Sequence, residues 1–298
     1  MELRVLHYFL AVAREQSISA AAQSLHLSQP ALSTQLKALE EELGKQLLIR
    51  GTKGSRRVIL TEEGMLLRRR AEEILTLVQK TEAEIAHADD TVVGDVTIGA
   101  GETDMIRLFA RAARQLQPRF PDIHYHILSG NAEYVLESLD RGLIDFGVLF
   151  GIDALDPRRY ESIPLPSEDL WGVLMRTDAP LASKTAIAPE DLWDKPLIIS
   201  RQREDGPYLS GWMRRDFSQL NVVATYNLLF NASLLVEEGL GYALCLDKLI
   251  RTEGSSLCFR PLTPRVEAPA CLVWKRYQLF SKAAAVFLDQ LKAVFADG

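Results

Sequence analysis

Leucines at positions 32, 36, 39 and 43 recur at intervals of four and three, so residues 29–43 are predicted to form a helix with one buried stripe. Ser28 can cap this helix, and Pro30 falls in its first turn, where a missing N–H costs nothing. The opposite face carries Gln29, Pro30, Ser33, Thr34 and Lys37, all small or polar and close to the N-terminal end. Two helical segments precede it. Leu3, Leu6, Phe9, Leu10 and Ala13 share one face of a first helix ending near Gln16, and Ser17 and Ser19 are cap residues for a short alanine-rich helix, Ala20 to Leu25. The polar face of the helix over 29–43 matches a recognition helix laid in the major groove, whose N-terminal residues do the reading, and it matches a solvated helix face equally well, so the segment that follows has to decide between them.

The next segment adds a wing. Leu47 to Ile49 and Val58 to Leu60 read as short strands joined by a glycine-rich tip, with Arg50, Lys53, Arg56 and Arg57 on or beside it. Arginines there can grip phosphates or enter a narrow minor groove. Charge supports the assignment: residues 1–70 carry eleven Lys or Arg against seven Glu, and the rest of the chain carries 23 basic against 33 acidic residues. A basic head on an acidic body suits a modular nucleic-acid binder, although the whole chain is net −6. Residues 1–60 are therefore expected to form a winged helix-turn-helix domain.

From Thr61, followed by Glu62 and Glu63, a connector helix is expected over about 61–90, with His87 to Thr91 as the hinge. Leu67, Ala71, Ile74, Val78, Thr81, Ile85 and Ala88 follow alternating four and three spacings; a lone amphipathic helix packed on its own domain would also show them, but polar residues on both sides of the narrow stripe favour the seam of a two-helix coiled coil. Residues 61–90 are thus read as a dimerisation linker, and a dimer would set two heads on a pseudo-palindromic operator.

After Gly94 strands and helices alternate: Asp95 to Ala100, Met105 to Leu116, Ile123 to Leu128 and Asp145 to Phe150, then Leu170 to Met175, Pro196 to Ser200, a helix over Tyr208 to Leu220, Val222 to Tyr226, Leu229 to Glu238, Gly241 to Cys245, Ala270 to Lys275 and a final helix, Ser281 to Phe295. That is an α/β domain over 91–298 with parallel strands. Crossovers near 163–166 and 261–266 divide it into lobe I (about 91–163 and 266–298) and lobe II (about 164–265). Ligands in such sheets collect at the carboxyl ends of strands. This rule selects Gly101, Glu102, Thr103, Asp104, Ser129, Leu149, Phe150, Gly151, Ser200, Arg201, Gln202, Asn227, Phe230 and Asn231. Arg201 or Arg203 could hold an anion while Glu102 and Asp104 oppose one, which a ligand with an amine, or a zwitterion, reconciles; it is equally economical that these acids face solvent and stabilise a helix start.

The run FLAVAREQSISAAAQSLHLSQPALSTQLKALEEELGKQLLIR (Phe9–Arg50) followed by LTEEG (Leu60–Gly64) resembles the N-terminal domain of LysR-type transcriptional regulators. The combination of Ser28-Gln29-Pro30, Leu32-Ser33 and Leu39-Glu40 is its most specific part. GLIDFGVL (Gly142–Leu149) and LVEEGLGYALC (Leu235–Cys245) resemble the effector-binding domain of the same family, which is similar to periplasmic binding proteins. The resemblance implies double-stranded DNA as a partner, read by Gln29, Pro30, Ser33 and Thr34 with Arg50 and the wing on the backbone or minor groove. It also implies a small-molecule effector, a homodimer or homotetramer, and RNA polymerase as a further candidate partner. Two departures stand out: Thr34 replaces an arginine common in the family, and the wing tip is long.

Other classes fit poorly. The chain shows no GxSxG, P-loop, HExxH or GxGxxG, so no catalytic residues are expected. Of five histidines, His124 and His126 share a strand face but have no third ligand at suitable spacing, so no metal or cofactor is expected. Cys245, Cys258 and Cys271 lie among apolar neighbours and read as buried thiols. With no leader peptide or apolar span apparent in the sequence, a cytoplasmic regulator is expected, not an exported solute-binding protein.

Overall fold

The computed structural model describes residues 1–50, 57–86, 92–150, 155–201 and 207–296. The chain divides into two compact units, Met1–Asp90 and Thr91–Gly298. The wing-tip residues Lys53 and Arg56, the hinge 87–91, and Gly151, Gln202 and Arg203 lie outside the described residues.

In the first unit, α1 (Leu3–Glu15), α2 (Ile18–Ser24) and α3 (Gln29–Leu43) enclose a core of Phe9, Val12, Ala21, Leu32, Leu36 and Leu39. Ser17 accepts a hydrogen bond from the Ala20 N–H and Ser28 one from the Ala31 N–H, so both act as caps, but α2 starts at Ile18, two residues earlier than expected, which puts Ser19 inside the helix and not at its cap. The leucine stripe is one residue shorter than expected. Leu43 is 42% exposed, because α3 ends beside it at Gly44, which adopts the left-handed conformation. Strands β1 (Leu48–Arg50) and β2 (Val58–Leu60) pair antiparallel, one residue later at β1 than the sequence suggested.

One carboxylate joins α3 to the wing. Glu40 Oε1 accepts from the backbone N–H groups of Leu47 (2.8 Å) and Leu48 (3.0 Å), which fixes the start of β1 against the helix. Helix α4 (Glu62–Ala86) begins in the same place. Thr61 donates to the Gln46 carbonyl and accepts from the Gly64 N–H. A Cβ on Gly64 would meet the Leu47 carbonyl oxygen at 2.2 Å, which explains why the LTEEG run ends in glycine.

The expected dimer seam is only partly free. Ala71 is fully buried and Leu75 nearly so, packed with Leu6 of α1 in the same chain, while Leu67 and Ile74 lie half-buried beside them. The spacing that suggested a partner helix is used here to dock α4 on its own head. Beyond that contact Val78 is half-buried, and Leu77, Thr81 and Ile85 are exposed.

The second unit contains two mixed sheets. The first holds β3 (Gly94–Ala100), β4 (Ile123–Ser129), β5 (Phe146–Phe150), β6 (Tyr160–Pro164) and β13 (Ala270–Lys275) in the order β4-β3-β5-β13-β6. The second holds β7 (Asp169–Arg176), β8 (Leu197–Ser200), β9 (Val222–Tyr226), β10 (Tyr242–Leu246) and β11 (Leu257–Pro261) in the order β11-β7-β10-β8-β9, with β12 (Glu267–Ala268) also on β7. The expectation of parallel strands fails at the strands next to the crossovers. β13 runs antiparallel to β5 and β6, and β7 antiparallel to β10, β11 and β12, because each enters its sheet from the other lobe.

Helices α5 (Ile106–Leu116) and α9 (Lys282–Ala296) cover one face of the first sheet around Phe109, Phe146 and Phe287, and α6 (Ala132–Asp140) covers the other with Val135 and Leu139. α8 (Leu229–Glu237) packs Ala232 and Val236 on the second sheet opposite α7 (Pro207–Met213). The helix expected over 208–220 is broken: α7 stops at Met213, Arg214 takes a left-handed conformation, and a short 3-10 turn follows at Phe217–Gln219.

Glu40→Ala is expected to destabilise the junction of helix and wing by about 2 kcal/mol, since two backbone donors lose a charged acceptor. Faster amide hydrogen exchange at Leu47 and Leu48, with α5 and α9 unchanged, is the measurement.

Candidate DNA interface and effector cleft

On α3 the packed leucines turn the opposite face outward. Ser28, Gln29, Pro30, Thr34 and Lys37 are exposed and Ser33 is half-buried, so these residues form one surface at the N-terminal end of the helix. Lys37 is paired with Glu41 at 3.6 Å, an exposed i,i+4 contact that a phosphate can replace at little cost. The Thr34 hydroxyl donates to the Pro30 carbonyl at 2.9 Å. Arg50 closes β1 opposite Val58. Arg57 Nε donates to Gln16 Oε1 at 3.0 Å, and the Gln16 carbonyl accepts the Val58 N–H, so the end of α1 anchors the wing.

In the second unit the strand ends expected to bind a ligand surround a cleft of about 360 Å³, within the range that accepts small molecules. Of the expected residues, Gly101, Glu102, Ser129, Arg201 and Asn227 line it. Leu149 and Phe150 line an adjoining hollow with Gly130 and Asn131, and Ser200 lines another with Trp171 and Tyr226. Leu228, inside the expected segment 227–231, lines it too, and Gly130, Asn131 and Tyr134 also line the main cleft and were not expected. A signal for Asn131 was present, since it caps α6 by accepting the Tyr134 N–H at 2.9 Å.

Four expected ligand residues are placed elsewhere. Asp104, in the turn before α5, pairs with Arg107 of that helix, and Phe230 and Asn231 are exposed on α8 away from the cleft lining. Thr103 is buried, its hydroxyl accepting from the Met105 N–H and donating to Asp169 Oδ2 at 2.6 Å. The strand-end rule locates the backbone, and the side chains then follow their nearest partners.

Glu102 and Thr103 therefore link the lobes. Glu102 Oε2 accepts the Leu229 N–H at the start of α8 at 2.5 Å, where a helix end favours negative charge. Asp169 sits where the chain enters the second sheet, beside two crossover strands held together by the Leu165 N–H on the Ala270 carbonyl and the pairing of Ala268 with Asp169. Burial pushes the Asp169 carboxyl from 3.8 up to about 6, against the Thr103 hydrogen bond, with the neighbouring Asp247 adding to the rise. Burial also pushes the Cys245 thiol up to about 12 and Cys271 to about 11, and raises Cys258. Among the described residues no group of three or more His, Cys, Asp or Glu could hold a metal, and no helix is long and apolar enough to cross a membrane.

A winged helix-turn-helix followed by a two-lobed α/β unit with a polar cleft defines a DNA-binding transcription regulator with a ligand-binding body. Residues 3–65 match the family model for bacterial regulatory helix-turn-helix proteins of the lysR family, and residues 89–296 match the LysR substrate binding domain, so the chain belongs to the LysR family of transcriptional regulators. It is 28% identical over 292 residues to the HTH-type transcriptional regulator YfeR of Shigella flexneri, covering 97% of this chain and 93% of that one. It is 30% identical over 206 residues to the hydrogen peroxide-inducible genes activator of Pectobacterium carotovorum, covering 69% and 65% of the two chains. The crystal structure of full-length CbnR complexed with its target DNA has a similar fold, with a TM-score of 0.77 at 21% identity over 99% of this chain and 100% of that one.

The raised Asp169 carboxyl makes the folded state bind its proton more tightly than the unfolded chain, so stability is expected to fall as pH rises from about 4 to 6. Asp169→Asn should flatten that slope. All four tryptophans lie in the second unit, so thermal melts followed by their fluorescence report it directly.

Proposed function

We propose that this regulator reads its operator with Gln29, Pro30, Ser33 and Thr34 in the major groove. In this reading Ser28 and Lys37 stand beside phosphates, and Arg50, Lys53, Arg56 and Arg57 hold the wing to the backbone or minor groove. The observation that carries it is the exposed N-terminal face of α3, set against leucines buried on the other side. A regulator of this kind works in the cytoplasm, and RNA polymerase is its further partner at the promoter.

The effector is a small molecule held between the lobes. Glu102 and Arg201 are the two charged side chains lining the main cleft among the described residues, and they suit a ligand carrying both an amine and an acid. Lobe movement around that ligand would alter how two paired heads contact and bend the promoter. Peroxide sensing, suggested by the name of the Pectobacterium relative, is disfavoured. Burial holds all three thiols away from the reactive thiolate.

Pairing of chains as a dimer, or as a dimer of dimers, is assigned to the second half of α4, where Leu77, Val78, Thr81 and Ile85 remain after Ala71 is taken up by the head. Leu77→Asp with Ile85→Asp is expected to lower the mass seen by light scattering, whereas Leu67→Asp should loosen the head instead.

Binding of the full chain to its own upstream DNA should weaken steeply with salt, by about 10³-fold or more between 50 and 200 mM if six phosphates are neutralised. A flat salt response would remove the DNA-reading assignment. For the cleft, free amino acids should raise the melting temperature of the second unit where their N-acetyl forms do not. Equal effects would exclude a zwitterion.

A further inference from the structure

The strands of the second unit end on two kinds of residue. β4 and β8 end on Ser129 and Ser200, but β5, β9 and β10 end on Phe150, Tyr226 and Leu246. The three large residues, with Trp171, Leu229 and Leu249, wall a side hollow of about 60 Å³. Gly101, Glu102 and Asn227 line both this hollow and the main cleft, so the two spaces adjoin. Among the described residues Ser200 is its only further small polar side chain. The Tyr226 hydroxyl gives its proton to the Leu244 carbonyl at 2.7 Å, so that donor is already committed.

At about 10–15 Å³ for each water, the hollow has room for about four to six solvent molecules. Water against carbon walls finds few partners, and a hydrocarbon group that replaces it gains affinity. An isobutyl group matches this space, a methyl group leaves most of it unfilled, and an indole exceeds it. The charged groups stand on the cleft side. Glu102 Oε2 takes the Leu229 N–H, and Oε1 has no hydrogen-bond partner among the described residues. Arg201 is exposed and makes no ion pair among the described residues.

We infer that the effector is an α-amino acid with an aliphatic side chain of leucine size, which fills the hollow walled by Phe150, Trp171, Leu246 and Leu249 while its amine and acid meet Glu102 and Arg201. This rests on the proposed zwitterionic reading of the cleft and adds the part of the ligand that gives selectivity.

The test is calorimetric titration of the full chain with L-alanine, L-2-aminobutyrate, L-norvaline and L-leucine. Affinity is expected to rise by about fourfold for each added carbon along this series. L-serine and L-aspartate should bind no better than L-alanine. Trp171 reports the hollow itself: leucine should shift tryptophan emission to the blue, alanine should not, and Trp171→Phe should abolish the shift. Leu249→Phe adds bulk to a half-buried wall and should bring leucine down to the affinity of alanine, with alanine unchanged. Thermal melts check that the variant folds, and the wild-type series decides without it.

Equal affinities along the series would overturn the inference, and so would leucine binding that leaves the Trp171 emission unmoved. Arg201→Gln separates the two levels. If it weakens every amino acid while serine and aspartate match leucine, the zwitterionic reading stands and the apolar hollow plays no part in selection. If no amino acid binds, or Arg201→Gln changes nothing, both fall together.

Discussion

The second unit depends on a chain crossing made twice within a few residues. The segment that leaves the first sheet after β6 and the one that returns before β13 lie side by side, joined at Leu165 and Ala270 and again at Asp169 and Ala268. Both must run against the strands they join, and this sets the mixed topology of each sheet. The buried Asp169 carboxylate stands at that crossing and holds Thr103 from the first β–α turn of the other lobe. A carboxylate so enclosed is costly in its charged form. The Thr103 hydroxyl offsets part of that cost and ties the first β–α turn of one lobe to the start of the sheet in the other.

The head is organised by a smaller device with the same logic. Glu40 takes two backbone donors from the start of β1, and Gly64 lets α4 approach the Leu47 carbonyl. Recognition helix, wing and linker thus meet within one turn of chain. Of the motifs that carried the family resemblance, Glu40 and Thr61 to Gly64 are residues of this junction. They fix the wing and α4 against α3, whose polar N-terminal face lies opposite the buried Leu32, Leu36 and Leu39.

Much of this was legible in the sequence, for reasons that differ by element. The leucine period on α3 and the serine caps are local signals, and they placed three helices and the exposed face nearly to the residue. Direction is not local: β7 and β13 were recognised as strands, but apolar alternation does not say which way a strand runs. β6 and β11 escaped notice because one or both faces are partly open, and Tyr160–Pro164 shows little apolar alternation. On α4 the heptad spacing was real, but spacing cannot distinguish a partner chain from the chain's own α1, which claims Ala71. Within the cleft, strand ends predicted the location. Asp104 and Phe230 still point elsewhere, because the nearest ion pair or helix face decides side-chain direction.

Glu102 has a consequence for how any effector would be measured. Its carboxylate engages the first N–H of α8 from across the cleft, a bond that any ligand reaching for Glu102 would have to replace. A ligand that draws Glu102 away exchanges one hydrogen bond for another, and its observed dissociation constant reports that exchange, not the intrinsic attraction. Weak apparent affinity and high selectivity are then compatible, because the population able to bind is set by the protein before the ligand arrives.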